Sequence, residues 1–323
     1  MTTRRQLLAI GASVLVAPTI SRAQAKLYRV GFLSSEAPSE TREIARLSTF
    51  RSALRDRGYV EGRNLVIETR YAQGHYDELP RLATELVNVK VDVLVVSGTK
   101  PLMAAKSVTT AVPIVMGSSG DAVRIGASAN LARPTANVTG WTFFGAQLAS
   151  KLVELIKEAA PSAVRLAYVV NPAESSYALG ATRDAASSLN LALSLFEVST
   201  PAELSGAFDR MVATKCDAVM VQSGSMFDVH AKTIAELALA SRLPSGSQLH
   251  EYAELGGLIT YGPDRLEGYR KAAEFVDKLL RGAKVADLPI EQASQFELVI
   301  NTTTAKALGL TLPQSLQSRA RLI

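Results

Sequence analysis

Short apolar runs alternate with helix-like patterns along most of this chain. In the first half, four runs rich in β-branched residues are typical of buried strands. Between them, apolar residues recur at spacings of three and four, as Leu47, Phe50 and Leu54 do before Gly58. Buried strands that alternate with amphipathic helices predict an α/β fold with parallel sheets flanked by helices. The predicted strands of this half cover residues 27–35, 64–72, 91–98 and 112–121.

The same order of elements then occurs a second time. VDVLVVSG at 91–98 has a counterpart in CDAVMVQSG at 216–224, in which an acid also precedes the strand and Ser-Gly ends it. This spacing is far longer than a solenoid repeat, so it predicts two similar α/β units. Open α/β sheets hold ligands at the carboxyl ends of their strands, and two facing edges predict a cleft. The predicted strands of the second unit cover residues 164–172, 192–199, 216–224 and 256–264.

Residues 1–25 are predicted to be an export signal. Two arginines precede a short apolar core, Leu7–Val16, and Ala-Gln-Ala ending at Ala25 supplies the small residues for cleavage before Lys26. The core is too short to span a bilayer comfortably. The mature protein is therefore expected to be soluble and periplasmic. TRRQLL also resembles a twin-arginine motif, so both the general secretory and the twin-arginine export routes stay open.

Composition narrows the function. The chain has 323 residues, of which 47% are hydrophobic and 20% charged, as expected for a globular protein with two lobes. Three of the charges behind the formal net +5 are arginines of the first 25 residues. No run of basic and aromatic residues follows, which argues against a nucleic-acid partner. Cys216 is the only cysteine and is expected to be buried, so no internal disulfide can form.

The chain carries no recognisable catalytic, metal or cofactor motif. Its three histidines are far apart and lack the spacing of metal ligands. Neither a phosphate-binding Walker motif nor a G-x-G-x-x-G turn is present. GSSGD at 117–121 lacks the spacing of a hydrolase nucleophile elbow. We therefore expect no cofactor, no metal and no enzymatic activity.

Hydroxyl and amide side chains recur where predicted strands end and helices begin. A helix N-terminus has unpaired N–H groups and a partial positive charge, so hydroxyls beside it suit a carboxylate. The alternative is that each side chain simply caps its helix. Their occurrence on one edge of both units favours a binding pocket. The candidates are Ser34, Ser35, Ser97, Thr99, Ser118, Ser119, Asn171 and Gln222.

One acid and three tyrosines extend this candidate set. Asp121 lies among small residues and either pairs with a ligand ammonium or caps the segment that follows. Tyr177, Tyr252 and Tyr261 either line an apolar wall of the pocket or pack in the core. Trp141 and its aromatic neighbours are expected to pack at a connection between the units.

Several stretches in a fixed order resemble one family. They include FRSALRDRGYVEGRNLVIETRYAQG from Phe50, VDVLVVSGTKPLMAAK from Val91, VPIVMGSSGDAV from Val112 and NVTGW at 137–141. ITYGPDRLEGYRKAAEFVDKLLRGAKVADLPIE and ELVINTTTAKALGLTLP follow in the second half. This set resembles the ABC transporter substrate-binding proteins, in particular those similar to tryptophan and aromatic amino-acid binding proteins. It covers nearly all of the chain after the predicted signal.

The resemblance implies a type I periplasmic binding fold, with two lobes joined by a three-segment hinge and a ligand held between them. It also implies a monomer that delivers a small solute to an ABC permease. Candidate hinge segments are 137–141, 258–262 and 284–290. The implied division is 26–138 plus about 262–285 for the first lobe, and 139–261 plus about 286–323 for the second.

The resemblance adds Asp264, after the second connection, to the residues that it places in the cleft. The others are Ser34, Ser35, Ser97, Thr99, Ser118, Asp121, Asn171, Gln222, Tyr252 and Tyr261. Two differences from the family lie at the rim of this pocket. Asp121-Ala122-Val123 stands where relatives often have Asp-Pro-Val, and Ser35-Glu36-Ala37-Pro38 where amino-acid binders have Glu-His-Pro. Both differences bear on the choice of ligand and leave the fold unaffected.

The predicted function is capture of a small carboxylate-bearing solute, aromatic compounds and amino acids included, for an ABC importer. A periplasmic sensor that presents its solute to a signalling receptor is the alternative. An exported hydrolase is a third possibility, but it needs a nucleophile with a base in reach, and the sequence indicates neither.

Overall fold

Two separate sheets organise the protein. The computed structural model describes residues 26–174 and 178–323, and the predicted signal at 1–25 and Tyr177 lie outside them. In this part of the chain one sheet has six strands, in the order Glu291–Gln292, Val138–Thr142, Ile114–Ser119, Val93–Ser97, Tyr28–Ser34 and Leu65–Tyr71. The other has seven, in the order Arg321–Leu322, Glu297–Ile300, Ile259–Gly262, Ser245–Ser247, Ala218–Val221, Arg165–Val170 and Ala192–Glu197. Neighbouring strands pair in parallel, except that Ile259–Gly262 and Glu297–Ile300 run antiparallel. The predicted pair of parallel α/β units is confirmed.

The first lobe follows the predicted alternation of strands and helices. Its strands β1, β3 and β4 are buried on both faces, which is why their sequences read as unbroken apolar runs. Its elements are β1 (Tyr28–Ser34), α1 (Thr41–Asp56), β2 (Leu65–Tyr71), α2 (Leu79–Asn88), β3 (Val93–Ser97), α3 (Thr99–Val108), β4 (Ile114–Ser119) and β5 (Val138–Thr142), with α9 (Arg265–Leu280) and β11 (Glu291–Gln292) from later in the chain.

The second lobe repeats this arrangement and adds a C-terminal extension to its sheet. Its elements are α4 (Gly145–Ala159), β6 (Arg165–Val170), α5 (Leu179–Ser188), β7 (Ala192–Glu197), α6 (Leu204–Ala213), β8 (Ala218–Val221), α7 (Ser225–Val229), α8 (Ala231–Ala240), β9 (Ser245–Ser247), β10 (Ile259–Gly262), β12 (Glu297–Ile300), α10 (Thr302–Ala307), α11 (Gln314–Gln317) and β13 (Arg321–Leu322). Cys216 is buried in the core of this lobe, as predicted.

Within the described residues, the chain passes between the sheets three times. It does so after β5, after β10 and after β11, in each case a few residues beyond the predicted segment. β5 and β11 therefore belong to the first sheet, although the predicted division assigned residues from 139 and from 286 to the second lobe. They extend the first sheet because β5 pairs with β4 and β11 pairs with β5. We propose lobe boundaries after Thr142, Gly262 and Gln292.

An aromatic cluster joins the three crossings. Trp141 and Phe143 from the first crossing lie with their ring centroids 6.2 Å apart and pack with Ala293 from the third. Tyr261 and Phe296, from the second and third crossings, have centroids 6.2 Å apart and pack against the same cluster. Apolar packing thus holds the three strands of the hinge together, and the expectation for Trp141 fits this position.

Helix α9 returns to the first lobe and packs closely on β4. A methyl group at Gly268 would lie 1.9 Å from the Gly117 carbonyl oxygen and 2.8 Å from the Trp141 ring. Only glycine therefore allows this approach of helix to sheet. The contact positions the first turn of α9, which faces the cleft.

We predict that Gly268→Ala lowers the free energy of unfolding by about 2–3 kcal/mol, because the added methyl group overpacks the contact between helix and sheet. The matched control is Gly206→Ala in α6, where the nearest atom to an added methyl group is 3.6 Å away, on the Arg210 side chain. This control should gain about 0.5–1 kcal/mol from the higher helix propensity of alanine. Urea unfolding of both variants measures the difference, and equal stabilities would contradict the packing described.

Candidate functional site

A cavity of about 390 Å³ lies between the two lobes, where the carboxyl ends of their strands face each other. This volume lies within the range of about 300–1,000 Å³ that is usual for small-molecule sites. Residues of the first lobe and of the crossings that line it are Glu36, Arg46, Ser97, Gly98, Thr99, Lys100, Met103, Ser118, Ser119, Gly120, Arg124, Ile125, Phe143, Arg265 and Tyr269; those of the second are Glu174, Ser223, Gly224, Ser225 and Asp228.

The first-lobe wall is the edge formed by β3, β4 and the beginning of α3. Gly98 precedes α3 with φ +106°, a left-handed conformation that turns the chain sharply from strand to helix. Thr99 Oγ1 accepts a hydrogen bond from the Gly120 N–H at 3.3 Å, which ties the two strand ends together. Ser119 is 1% exposed and lines the cavity, and its hydroxyl has no hydrogen-bond partner. This edge offers hydroxyls and a helix N-terminus to an anionic group.

A buried ion cluster forms the floor beside this edge. Arg46 donates to Glu36 at 2.7 Å and lies 3.3 Å from Glu43, while Arg42 binds the other Glu36 oxygen at 3.1 Å. Burial raises the pKa of Glu36, but Arg46 and Arg42 outweigh it and lower that pKa overall. For Glu43 burial prevails over Arg46, so its pKa is raised. The cluster therefore keeps Glu36 charged while favouring the protonated form of Glu43.

Arg265, the first residue of α9, spans the cleft. Its guanidinium donates to Asp228 Oδ2 and to Ser223 Oγ in the second lobe, each at 2.7 Å. The side chain of Asp228 is only 4% exposed, and the guanidinium carbon of Arg265 lies 5.5 Å from the centroid of the Phe143 ring. Burial lowers the pKa of Arg265, but the Asp228 carboxylate outweighs it and raises that pKa overall, so the guanidinium stays charged.

Further contacts hold the lobes together across the cleft. The Ser35 and Ser225 hydroxyls are 3.0 Å apart, and Arg42 of the first lobe donates to the Asp228 carbonyl oxygen of the second. The lobes are thus in direct contact around the cavity. They have the closed geometry in which a solute held between them would touch both.

Glu174 forms another contact between the lobes, because its Oε1 accepts a hydrogen bond from the Tyr76 hydroxyl at 2.9 Å. Burial raises the pKa of Glu174 to about 7, helped by Asp228. The Tyr76 hydroxyl, the Met226 N–H and Lys100 act in the opposite direction. This carboxyl group therefore titrates near neutral pH.

The structure brings part of the predicted site together. Ser97, Thr99 and Ser118 line the cavity, with the Ser97 hydroxyl 2.6 Å from that of Tyr269. Ser35 and Asn171 instead line a second cavity of about 460 Å³, which shares Glu36 and Ser225 with the first.

The polar candidates that line neither cavity accept hydrogen bonds from backbone N–H groups of the protein itself. Asp121 accepts from the backbone of Val123 and Arg124, and Asp264 caps α9 by accepting from the Leu266 N–H. For Asp121 these bonds agree with the alternative considered from the sequence, that it caps the segment that follows. Ser34 accepts from the Glu36 N–H and Gln222 from the Asn171 N–H.

The two tyrosine candidates also lie away from the cavities. Tyr252 is 1% exposed in the core of the second lobe, and Tyr261 packs beside Phe296 at the hinge. Packing, the alternative reading of these aromatics, therefore describes both positions.

The charged residues of the cavity were not identified from the sequence. The sequence does contain an indication for Asp228, because the apolar residues around it in Met226-Phe227-Asp228-Val229 are typical of a buried position. Glu36 lies in the stretch that differs from the amino-acid binders. Its partners Arg42 and Arg46 lie in the helix that follows, and the sequence did not indicate this pairing. No group of three or more potential metal ligands occurs in the described residues.

Comparison with known proteins agrees with this geometry. A family model described as ABC transporter substrate binding protein matches residues 39–322. The chain belongs to this family. ABC transporter substrate-binding proteins bind small-molecule solutes, work with ABC permeases and are typically periplasmic or extracellular. Membership confirms the resemblance seen in the sequence and the expectation that the chain is not an enzyme.

Individual relatives of this ABC transporter substrate-binding protein span most of its length. A tyrosine-binding protein of Clostridioides difficile is 27% identical over 263 residues, which cover 81% of this chain and 75% of the relative. The ABC domain in complex with L-Trp from Streptococcus pneumoniae has a TM-score of 0.84 at 23% identity, with 92% of this chain and 99% of that chain covered. A conserved domain protein from Vibrio cholerae has a TM-score of 0.85 at 26% identity, with the same coverage.

No helix among residues 26–174 and 178–323 combines the length and apolar character needed to cross a membrane.

We predict that the free energy of unfolding falls between pH 5 and pH 8 because of Glu174. A pKa raised in the folded protein means that stability is greatest while the group is protonated, and is lost as the pH rises from about 4.5 through 7. The loss should be on the order of 3 kcal/mol at most. Urea unfolding at both pH values should show this fall in the wild type and a smaller one in Glu174→Gln.

The control for this titration is Glu154→Gln, at an exposed position on α4. This variant should follow the wild type at both pH values. If Glu174→Gln had the same pH dependence as the wild type, ionisation of Glu174 would not be opposed by the folded structure.

Proposed function

We propose that this protein is a periplasmic solute-binding protein that captures a small carboxylate-bearing solute in the inter-lobe cleft and delivers it to an ABC importer. The observation that carries the proposal is the cavity enclosed by both lobes, with hydroxyls and the N-terminus of α3 on one wall. A solute that contacts both walls would favour the closed arrangement of the lobes.

The carboxylate is placed at the first-lobe edge. The N–H groups at the beginning of α3 and the hydroxyls of Ser97, Thr99 and Ser119 supply donors there, and Lys100 and Arg46 add positive charge. Met103, Ile125 and Phe143 form the apolar part of the lining and suit an aromatic or branched apolar group. The tyrosine-binding relative and the relative solved with L-Trp support a solute of this size.

We predict that Ser119→Ala weakens binding of the best-bound carboxylate by about tenfold or more, because the variant loses a hydrogen bond to a charged group. Without ligand, its free energy of unfolding should not fall, since the Ser119 hydroxyl has no partner to lose. Isothermal titration calorimetry with hits from a thermal-shift screen of small carboxylates measures the first effect, and urea unfolding measures the second.

The matched control is Ser107→Ala in the last turn of α3, where the hydroxyl donates to the Ala104 carbonyl oxygen. Its affinity should equal that of the wild type. Equal affinities for Ser119→Ala and the wild type would remove Ser119 from the site, and the absence of any binding carboxylate would contradict the proposed function.

We also propose that residues 1–25 are removed on export. The mature protein isolated from periplasm should begin at Lys26, as read by mass spectrometry of the N-terminal peptide. Replacing Arg4 and Arg5 together by lysine should block export if the twin-arginine route is used, and leave it unchanged if the general secretory route is used. A periplasmic protein that retains Met1 would contradict cleavage.

A further inference from the structure

The cavity differs from a simple amino-acid site in the state of its acids. Four basic and three acidic side chains occur among the described residues that line it. An α-amino acid would need a free acid for its ammonium group, because a buried ammonium without a counter-charge is costly. The basic residues are Arg46, Lys100, Arg124 and Arg265, and the acidic residues are Glu36, Glu174 and Asp228.

Two of the acids are already neutralised by the protein. Asp228 is paired with Arg265 at 2.7 Å, and Glu36 is held by Arg46 and Arg42 at 2.7 and 3.1 Å. The side chains of Glu36 and Asp228 are each only 4% exposed. A solute ammonium could bind either acid only by competing with a buried guanidinium, which would itself lose its partner.

Glu174 is the third acid, and it makes no salt bridge within the described ranges. It accepts instead from Tyr76, and its burial raises its pKa to about 7. A buried carboxyl group whose ionisation is opposed by its surroundings, and which already accepts a hydrogen bond from a tyrosine, is a weak partner for an ammonium. Lys100, which lines the same cavity, adds a competing positive charge.

Some hydrogen-bond donors of the cavity, by contrast, have no partner among the described residues. A guanidinium carries five N–H groups, and the bonds of Arg265 to Asp228 and Ser223 account for two of them. The Arg265 Nε is buried without a hydrogen-bond partner, and so is the Ser119 hydroxyl. The cavity therefore has a surplus of positive charge and donors, and a shortage of free acceptors.

We infer that the solute is a monocarboxylate without an ammonium group, attached to a phenyl-sized or branched alkyl body that packs against Met103, Ile125 and Phe143. This inference rests on the proposed function and specifies its substrate class. Arg265 occupies the position opposite Asp228 that a solute ammonium would need, so the protein supplies its own cation there.

The test compares probes that differ only in the ammonium group. We expect 3-phenylpropionate to bind the full mature chain at least tenfold more tightly than L-phenylalanine, and 4-methylpentanoate at least tenfold more tightly than L-leucine. Calorimetric titrations at pH 6.5 and 7.5 measure all four dissociation constants. If the amino acid of each pair bound equally well or better, the inference would be overturned while the proposed function stood.

Two variants sharpen the comparison. Arg265→Gln should shift the affinity ratio at least tenfold toward the amino acid, because it frees the carboxylate of Asp228. Glu174→Gln should change the affinities for 3-phenylpropionate and for L-phenylalanine by the same factor, so that their ratio stays within threefold of the wild-type ratio. A tenfold loss confined to the amino acids in Glu174→Gln would identify Glu174 as an ammonium partner and overturn the inference.

The control is Arg270→Gln on the same helix, whose side chain is about half exposed and pairs with Asp264 and Glu267. Its affinity ratio should match that of the wild type, and circular dichroism checks the fold of each variant. If Arg265→Gln does not fold, the four wild-type titrations still decide the inference. If none of the four probes nor any other carboxylate binds, the proposed function and the inference fall together.

Discussion

The arrangement of the two lobes depends on charges that neither lobe neutralises alone. Arg265 begins a helix of the first lobe, yet its guanidinium is bonded to Asp228 and Ser223 of the second, and Arg42 reaches the backbone of Asp228 from the same side. A buried ion without a partner costs several kcal/mol, whereas water can solvate the same groups when the cleft is open. The lobes can therefore close without a large free-energy cost only in an arrangement that brings these groups together. The aromatic cluster of Trp141, Phe143 and Phe296 joins the first and third crossings, and Tyr261 of the second packs against it.

The same charges determine the chemistry of the cavity between the closed lobes. Parallel strands bring the Ser97, Thr99 and Ser119 positions to one edge, and the N-terminus of α3 adds partial positive charge there. On the opposite wall Asp228 is already paired with Arg265, and burial opposes the ionisation of Glu174. One cavity therefore has an electropositive wall and a largely neutral one. The ion pair between Arg265 and Asp228 thus both joins the lobes and contributes to the charge of the cavity wall.

Much of this structure was readable from local patterns. The alternation of buried strands and amphipathic helices indicated two α/β units, and the polar strand ends indicated Ser97, Thr99 and Ser118, all of which line the cavity. The pattern was less informative where a polar side chain can either accept hydrogen bonds from nearby backbone N–H groups or contact a ligand. Asp121 and Asp264 accept hydrogen bonds from nearby backbone N–H groups, an arrangement that a sequence cannot distinguish from ligand contact. Tyr252 lies in the turn region before β10, but its side chain packs in the core of the second lobe. The chain crosses between the sheets a few residues later than the sequence predicted, because β5 and β11 extend the first sheet. β5 pairs with β4, and β11 pairs with β5.

The sequence by itself determined the fold class, the duplication and the hydroxyl-rich edge, because these follow from interactions between residues close together in the chain or from the period of burial. Tertiary structure alone decided which charged groups meet. Glu36 pairs with Arg46 ten positions away, Arg265 with Asp228 thirty-seven away, and Tyr76 with Glu174 ninety-eight away. No periodicity encodes such pairs, since the first depends on how α1 packs beside the end of β1 and the other two on the angle at which the two sheets face each other. The electrostatic character of the site is for this reason a property of the closed cleft rather than of any segment that forms it.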